Sequence, residues 1–332
     1  SVVAPSIANL AGRFLSINTD LNQNLVLNAP HWVAAGKKCV DGIPIPASLT
    51  TTGVPDADYY VYFTARPAPA GVAAAAVACN WNSASISNAR PLAGNVNFNP
   101  GNLNSATNDL DTTSQFSLAA FFRLSFHEFT HALGFTPNFY DLYYDKVNNA
   151  AYASVTTTQT LRGHTVTYIT TPRVKATAQA YYDCPSLVGL ELEDFGGSGS
   201  ALTHWDKRIV YNEYMAAQIE QYMFVSNLTL ALFEDMGWYT PNYTAAESLT
   251  WGAQRGCDFV LSPCNTATTW TDLYCTDQST MTCTADRLAY GNCNVRAPAP
   301  ATIPAYDQYF PSSTKGGNPF MDFCPIISPY SN

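Results

Sequence analysis

Apolar residues between positions 113 and 133 recur with helical spacing. At 100° per residue, Phe122, Phe126, Phe129 and Leu133 fall within one narrow arc, the stripe of a helix that buries one face. The opposite face carries His127 and His131, four residues apart and so one turn above each other. Thr112, Thr113 and Ser114 stand upstream as N-cap candidates, and Gly134 is the residue best able to leave the helix through a left-handed conformation. The pattern predicts a helix over about 113 to 133.

Elsewhere the pattern is shorter in range. A second helical stretch is expected at Asn227 to Met236, ending at Gly237, and another within residues 1 to 30. Tyr59 to Thr64 and Ala73 to Cys79 read as strands, and Asn95 to Asn99 alternates Asn with Val and Phe as a half-exposed strand does. No internal repeat, heptad or low-complexity tract interrupts this order. The expected class is α+β.

The polar face of the predicted helix carries the chemistry. His127-Glu128-Phe129-Thr130-His131-Ala132-Leu133-Gly134 has the form HExxHxxG, which brings two imidazoles to one metal and sets the carboxylate of Glu128 beside the position where water would sit. A closed structural zinc site has no need of that carboxylate, so Glu128 points to catalysis. A catalytic zinc wants a third protein ligand, and three further histidines exist: His31, His164 and His204. His204 is the strongest candidate. It follows Gly196-Gly197-Ser198-Gly199-Ser200, a run with so little side-chain bulk that the backbone can turn sharply and pass close to a metal centre. His31, in Ala-Pro-His-Trp, and His164, in a Thr-rich strand-like stretch, read better as surface or hydrogen-bonded residues.

Three segments carry a family resemblance: HEFTHALGF at 127–135, LELEDFGGSGSALTHWDKRIVYNEYM at 190–215 and LALFEDMGWY at 230–239. Together with CNWNSASISNARPLAGNVNFNP at 79–100, they resemble the leishmanolysin-type metallopeptidases, a branch of the metzincins. That branch places a long segment before its third histidine, and here 69 residues separate Gly134 from His204. The resemblance implies a metzincin-like catalytic domain with a twisted mixed sheet and an active-site helix, one zinc ion per chain, and polypeptide substrates. Position by position it implies His127, His131 and His204 as the zinc ligands, Glu128 as general base towards a zinc-activated water, and Met215 as the Met-turn residue packed beneath the site. Position 217 is Ala, so no metal-approaching tyrosine is assigned there. Metzincins pair extended substrate with an edge strand ahead of the helix, which makes Ala93, Gly94, Asn95, Val96 and Asn97 the candidates for β-addition of a peptide.

Composition narrows the setting. Only 12% of residues are charged and the net charge is −9, with no Lys/Arg cluster, so a nucleic-acid partner is excluded and no anionic membrane surface is favoured. Six of the nine cysteines, Cys257, Cys264, Cys275, Cys283, Cys293 and Cys324, crowd the last quarter without a CxxC pair and with no histidine beyond 204. This reads as a disulfide-stapled, loop-rich module of an oxidising compartment and not as a second metal site. The odd count leaves one cysteine free or joined to another chain. Asn227-Leu228-Thr229 and Asn242-Tyr243-Thr244 have the form of glycosylation acceptors. The first residues lack a signal-peptide pattern and Gly71 to Cys79 is too short to span a bilayer, so a processed, extracellular or cell-surface chain is expected, with membrane attachment open.

The expected organisation is a catalytic subdomain over 1–134, an insertion and central subdomain over 135–240, and the Cys-rich module over 241–332. Two functions fit. One is a zinc endopeptidase acting on exposed polypeptide; the other is a surface adhesion or coat protein that keeps the fold. Retention of Glu128 favours the first, because binding alone has no need of that carboxylate.

Overall fold

The fold is that of a computed structural model, which describes residues 3–17, 24–27, 39–40, 42–69, 71–82, 87, 89–102, 115–220, 222–264 and 272–330. In chain order the longer elements are α1 (Val3–Phe14), β1 (Leu15–Ile17), β2 (Tyr60–Ala65), β3 (Ala74–Trp81), β4 (Pro91–Phe98) and α2 (Gln115–Ala132). After them come β5 (Tyr144–Asp145), β6 (Ala150–Ala151), β7 (Thr156–Leu161), β8 (His164–Ile169), α3 (Pro172–Tyr182) and β9 (Leu190–Leu192). The last are α4 (Asn227–Asp235), β10 (Tyr239–Pro241), β11 (Met281–Cys283), β12 (Tyr290–Cys293) and β13 (Ile327–Pro329). Helix and sheet are mixed, as expected. The predicted helices at 113–133 and 227–236 correspond to α2 and α4, while the N-cap candidates at 112–114 and His31 lie outside the described residues.

Contacts gather the chain into two units, Ser1–Val155 with Thr229–Ala246, and Thr156–Leu228 with Glu247–Asn332. The bounds of these units differ from the cuts expected near 134 and 240. Residues just after α2 stay with it because Tyr144 N donates to Met236 O (3.2 Å) and β10 closes antiparallel on β1. The Cys-rich stretch is tied to the rest of the second unit: Cys257 pairs with Cys184 and Arg208 donates to the carbonyls of Phe259 and Val260.

The first unit is built on a three-stranded sheet of order β2-β4-β3, with β2 parallel and β3 antiparallel to β4. Helix α2 lies on β3 and β4 and against α1. Its apolar stripe does what the spacing predicts: Phe126 is fully buried and stacks on Phe14 at 5.7 Å, and Phe129 meets Tyr59 edge-on at 5.3 Å. Cys39–Cys79 fastens β3 to the segment ahead of β2.

Strand β4 corrects an expectation. Ala93, Gly94, Asn95, Val96 and Asn97 were assigned to a substrate-pairing edge, yet β4 is the central strand and its ladder is taken on both sides. Asn95 is buried and Asn97 half-buried, and both are hydrogen-bonded to the neighbouring strand. Asn95 Nδ2 donates to Tyr62 O (3.0 Å), while Asn97 accepts from Thr64 Oγ1 (2.8 Å) and from Arg66 N (2.9 Å), so polar residues here zip the strand to β2. Gly94 leaves room for the Tyr59 hydroxyl and the Val77 carbonyl, both of which an added Cβ would overlap, and for the Ala132 Cβ (3.1 Å) at the end of α2.

In the second unit β7, β8 and β9 form an antiparallel sheet, with Arg162 and Gly163 both at positive φ (53° and 90°) in the β7–β8 turn. Its polar centre holds Arg208, whose Nε donates to Asp322 (3.0 Å), and Arg162, which pairs with Glu191. Three disulfides, Cys184–Cys257, Cys264–Cys324 and Cys275–Cys293, staple this unit, and Cys283 is left as an exposed free thiol. Among the described residues no helix is long and apolar enough to cross a membrane.

Candidate metal centre

Helix α2 delivers its two imidazoles together. The Nε2 atoms of His127 and His131 lie 3.2 Å apart with the rings edge to face. Two ligands of a tetrahedral zinc, each 2.0–2.1 Å from the ion, would stand about 3.3 Å apart. Past the helix the chain turns at Gly134, whose φ of +125° suits a residue without Cβ, and brings Phe135 O to 2.8 Å from His131 Nδ1. That bond makes Nδ1 the donor and leaves Nε2 its lone pair. Burial pushes the His131 pKa down to about 4, so the ring is neutral, as a ligand must be.

His204 reaches the same tautomer by different means. Its Nδ1 lies 2.9 Å from Ser200 O and 2.8 Å from Thr203 Oγ1, at the end of the glycine-rich run. The segment is strapped on two sides by backbone bonds. Glu193 N donates to His204 O (3.0 Å) and Asp206 N to Glu191 O (3.0 Å), while Trp205 N donates to Met215 O (3.1 Å). Met215 is fully buried in a turn that a buried carboxylate organises: Glu213 accepts from Met215 N (2.6 Å), from Ser226 Oγ (2.9 Å) and from Ser226 N (3.4 Å).

The ligand-capable atoms of His127, His131 and His204 all lie within 4.8 Å of one another, and among the described residues this is the group of histidine, cysteine and acidic side chains that could hold a metal ion. Three imidazole nitrogens, two of their rings held from behind by the carbonyls of Phe135 and Ser200, suit zinc. His164 is engaged elsewhere, 3.1 Å from Asp194 and stacked on Tyr306 at 4.4 Å. Glu128 is buried, and desolvation pushes its carboxyl up to about 8. Alone it would hold a proton at neutral pH; a dication beside it would pull the proton affinity back down.

Reasoning from the sequence missed the residues behind this group. Glu213 appeared only as a neighbour of Met215, and no spacing signal marks Tyr59, Tyr143 and Tyr239, whose hydroxyls donate to the carbonyls of Ala132, Gly134 and Leu133.

The fold and the three-histidine group define a candidate zinc-binding protein of the HExxH kind. The chain belongs to the leishmanolysin family, peptidase M8, which matches residues 26–332. It is 32% identical to a leishmanolysin of Leishmania tropica over 292 residues, 87% of this chain and 41% of that protein. It is 31% identical to a leishmanolysin of Leishmania major over 90% of this chain and 46% of the other. A leishmanolysin-like peptidase of Drosophila pseudoobscura pseudoobscura shares 34% over 70% of this chain and 37% of its own length. The chain thus spans under half the length of these relatives.

Proposed function

We propose that this chain is a zinc-dependent endopeptidase in which His127, His131 and His204 hold one zinc ion and Glu128 is the general base. The observation that carries this reading is the grouping of three imidazoles with ligand atoms within 4.8 Å of one another, with Glu128 on the helix that carries His127 and His131. Zinc, when bound, supplies a Lewis acid that polarises a carbonyl and lowers the pKa of water towards about 7.

The residues of the chain do the rest. Three neutral imidazole ligands would leave the full positive charge of a bound ion uncompensated, and the carbonyls of Phe135 and Ser200 fix two of the rings in the ligating tautomer. Glu128 takes a proton from the attacking water onto its carboxylate and passes it to the departing amine of the cleaved peptide bond. Met215 packs in the turn that braces the His204 segment. Polypeptide substrates and an extracellular or cell-surface setting follow from the family and from the four disulfides. An adhesion role for the same fold would leave Glu128 without work.

Metal removal tests the reading. Chelation should abolish cleavage of a mixed peptide library, and stoichiometric zinc should restore it; His204→Ala should bind zinc at least 10-fold more weakly and stay inert after zinc addition. Cleavage that survives chelation, or survives His204→Ala unchanged, would remove the metal centre from the account.

A further inference from the structure

The carbonyls at the end of an α-helix lack intrahelical donors, and a buried helix end must find them elsewhere. At the end of α2 each carbonyl from 129 to 135 has an identified partner. Phe129 O, Thr130 O and His131 O accept from the backbone N–H groups of Leu133, Phe135 and Gly134. The next three accept from tyrosines: Tyr59 donates to Ala132 O (2.9 Å), Tyr239 to Leu133 O (2.9 Å) and Tyr143 to Gly134 O (2.9 Å), which Thr136 N also reaches (2.9 Å). The last carbonyl, Phe135 O, faces His131 Nδ1 itself (2.8 Å).

These tyrosines come from three separate places, just before β2, just before β5 and at the first residue of β10. Tyr143 and Tyr239 are buried, as are Ala132, Leu133 and Gly134. Trp238 closes the same corner, its ring 5.7 Å from that of Tyr143 and close enough that a Cβ on Gly134 would meet it at 3.0 Å. Burial pushes all three hydroxyls above their ordinary range, so each stays a donor at any pH the chain tolerates. Ordinary helix ends use water, a glycine motif or a basic side chain. Here a collar of three phenol donors grips consecutive peptide groups, one turn from a proposed zinc ligand.

We infer that Tyr59, Tyr143 and Tyr239 are positioning residues for His131, fixing the turn at 132–135 so that Phe135 O stays on Nδ1 and the ring keeps Nε2 aimed at the metal. This rests on the zinc reading of the site. The collar acts through the backbone and touches neither ion nor substrate. Tyr143 holds the peptide adjoining Phe135 together with Thr136 N, and its position next to Phe135 gives it the largest expected share.

The test uses Tyr143→Phe, Tyr239→Phe and Tyr59→Phe, each of which keeps the ring and removes the donor. Tyr309→Phe serves as control, since it loses a hydroxyl that donates to Asp307 Oδ1 (3.0 Å) far along the second unit's chain from His204. The zinc dissociation constant is measured by chelator competition, the visible absorption of the cobalt-substituted protein reports ligand geometry, and thermal melting reports the fold. Outer partners of zinc ligands typically carry 10- to 100-fold in affinity, so Tyr143→Phe is expected to weaken zinc about 10-fold and shift the cobalt bands, with Tyr239→Phe following less strongly. Tyr309→Phe should lower the melting temperature and leave both metal readouts alone. If all three collar variants melt lower yet bind zinc and colour cobalt like the parent, the collar only stabilises the fold and the inference fails. A parent chain that binds no zinc would overturn the metal-site reading, and the collar with it. Should Tyr143→Phe not fold, Tyr239→Phe decides by the same criteria.

Discussion

Helix α2 and the His204 segment position their histidines in opposite ways. Helix α2 places His127 and His131 by periodicity: the stripe that buries Phe126 dictates which face the imidazoles take. The His204 segment has no period. It is irregular backbone held by β9 on one side, by the turn at 213–216 on the other, and by buried charge behind, with Asp206 capping the short helix Lys207–Val210 and Arg208 fully buried. Apolar packing orients a regular element almost without regard to detail, whereas an irregular one needs named polar partners for each peptide group. The polar strap should therefore be the more fragile half of the site.

The largest effect is expected at Arg208. Its guanidinium meets Asp322, Phe259 O and Val260 O, and Arg208→Met leaves a buried carboxylate and two carbonyls without it. A loss of about 3–5 kcal/mol is expected, read by thermal or urea unfolding. An unchanged melt would mean that the strap does not depend on this charge.

Glu213 comes next. Glu213→Gln turns an acceptor of three hydrogen bonds into a group that presents an N–H to Met215 N or to Ser226, at a cost of about 2 kcal/mol and with weaker zinc binding through His204. Zinc affinity equal to the parent's would show that the turn positions nothing.

The smallest effect is a pH dependence. Asp194, hydrogen-bonded to His164, raises the His164 pKa above its ordinary 6.5, with burial and Arg162 opposing and Asp322 assisting. The pair's stability is thus fully present below 6.5 and is lost as pH rises through the folded value. Asp194 is part exposed, so the change is modest. Comparing the melting temperatures of parent and Asp194→Asn across this range should show the parent's advantage shrinking with rising pH; a constant gap would mean that the histidine is not charged in the fold.

The same contrast explains what could be read from the sequence. Helix α2, its buried face and the pairing of His127 with His131 follow from spacing alone, because a helix repeats its own geometry. His204 was found through the bulk-free run before it and the resemblance around it. Strand β4 was misplaced because Asn alternating with Val and Phe looks the same whether the Asn side chains meet water or, as here, the neighbouring strand. The two-unit division was hidden because nothing in cysteine spacing joins Cys184 to Cys257. The tyrosine collar was invisible for a related reason: a phenol finds a carbonyl 73 or 106 residues away only once the sheet has placed it.

Glu128 separates a working peptidase from a fold that merely keeps a metal. Peptide hydrolysis by the parent and by Glu128→Ala, with zinc content determined on the same samples, distinguishes the two. The expected result is about one zinc in each, and a rate lower by at least ~10²- to 10⁴-fold in the variant, the loss of a positioned acid-base group. Equal rates with equal zinc would contradict the role given to Glu128, and a parent that holds zinc but cleaves nothing would contradict the endopeptidase reading itself.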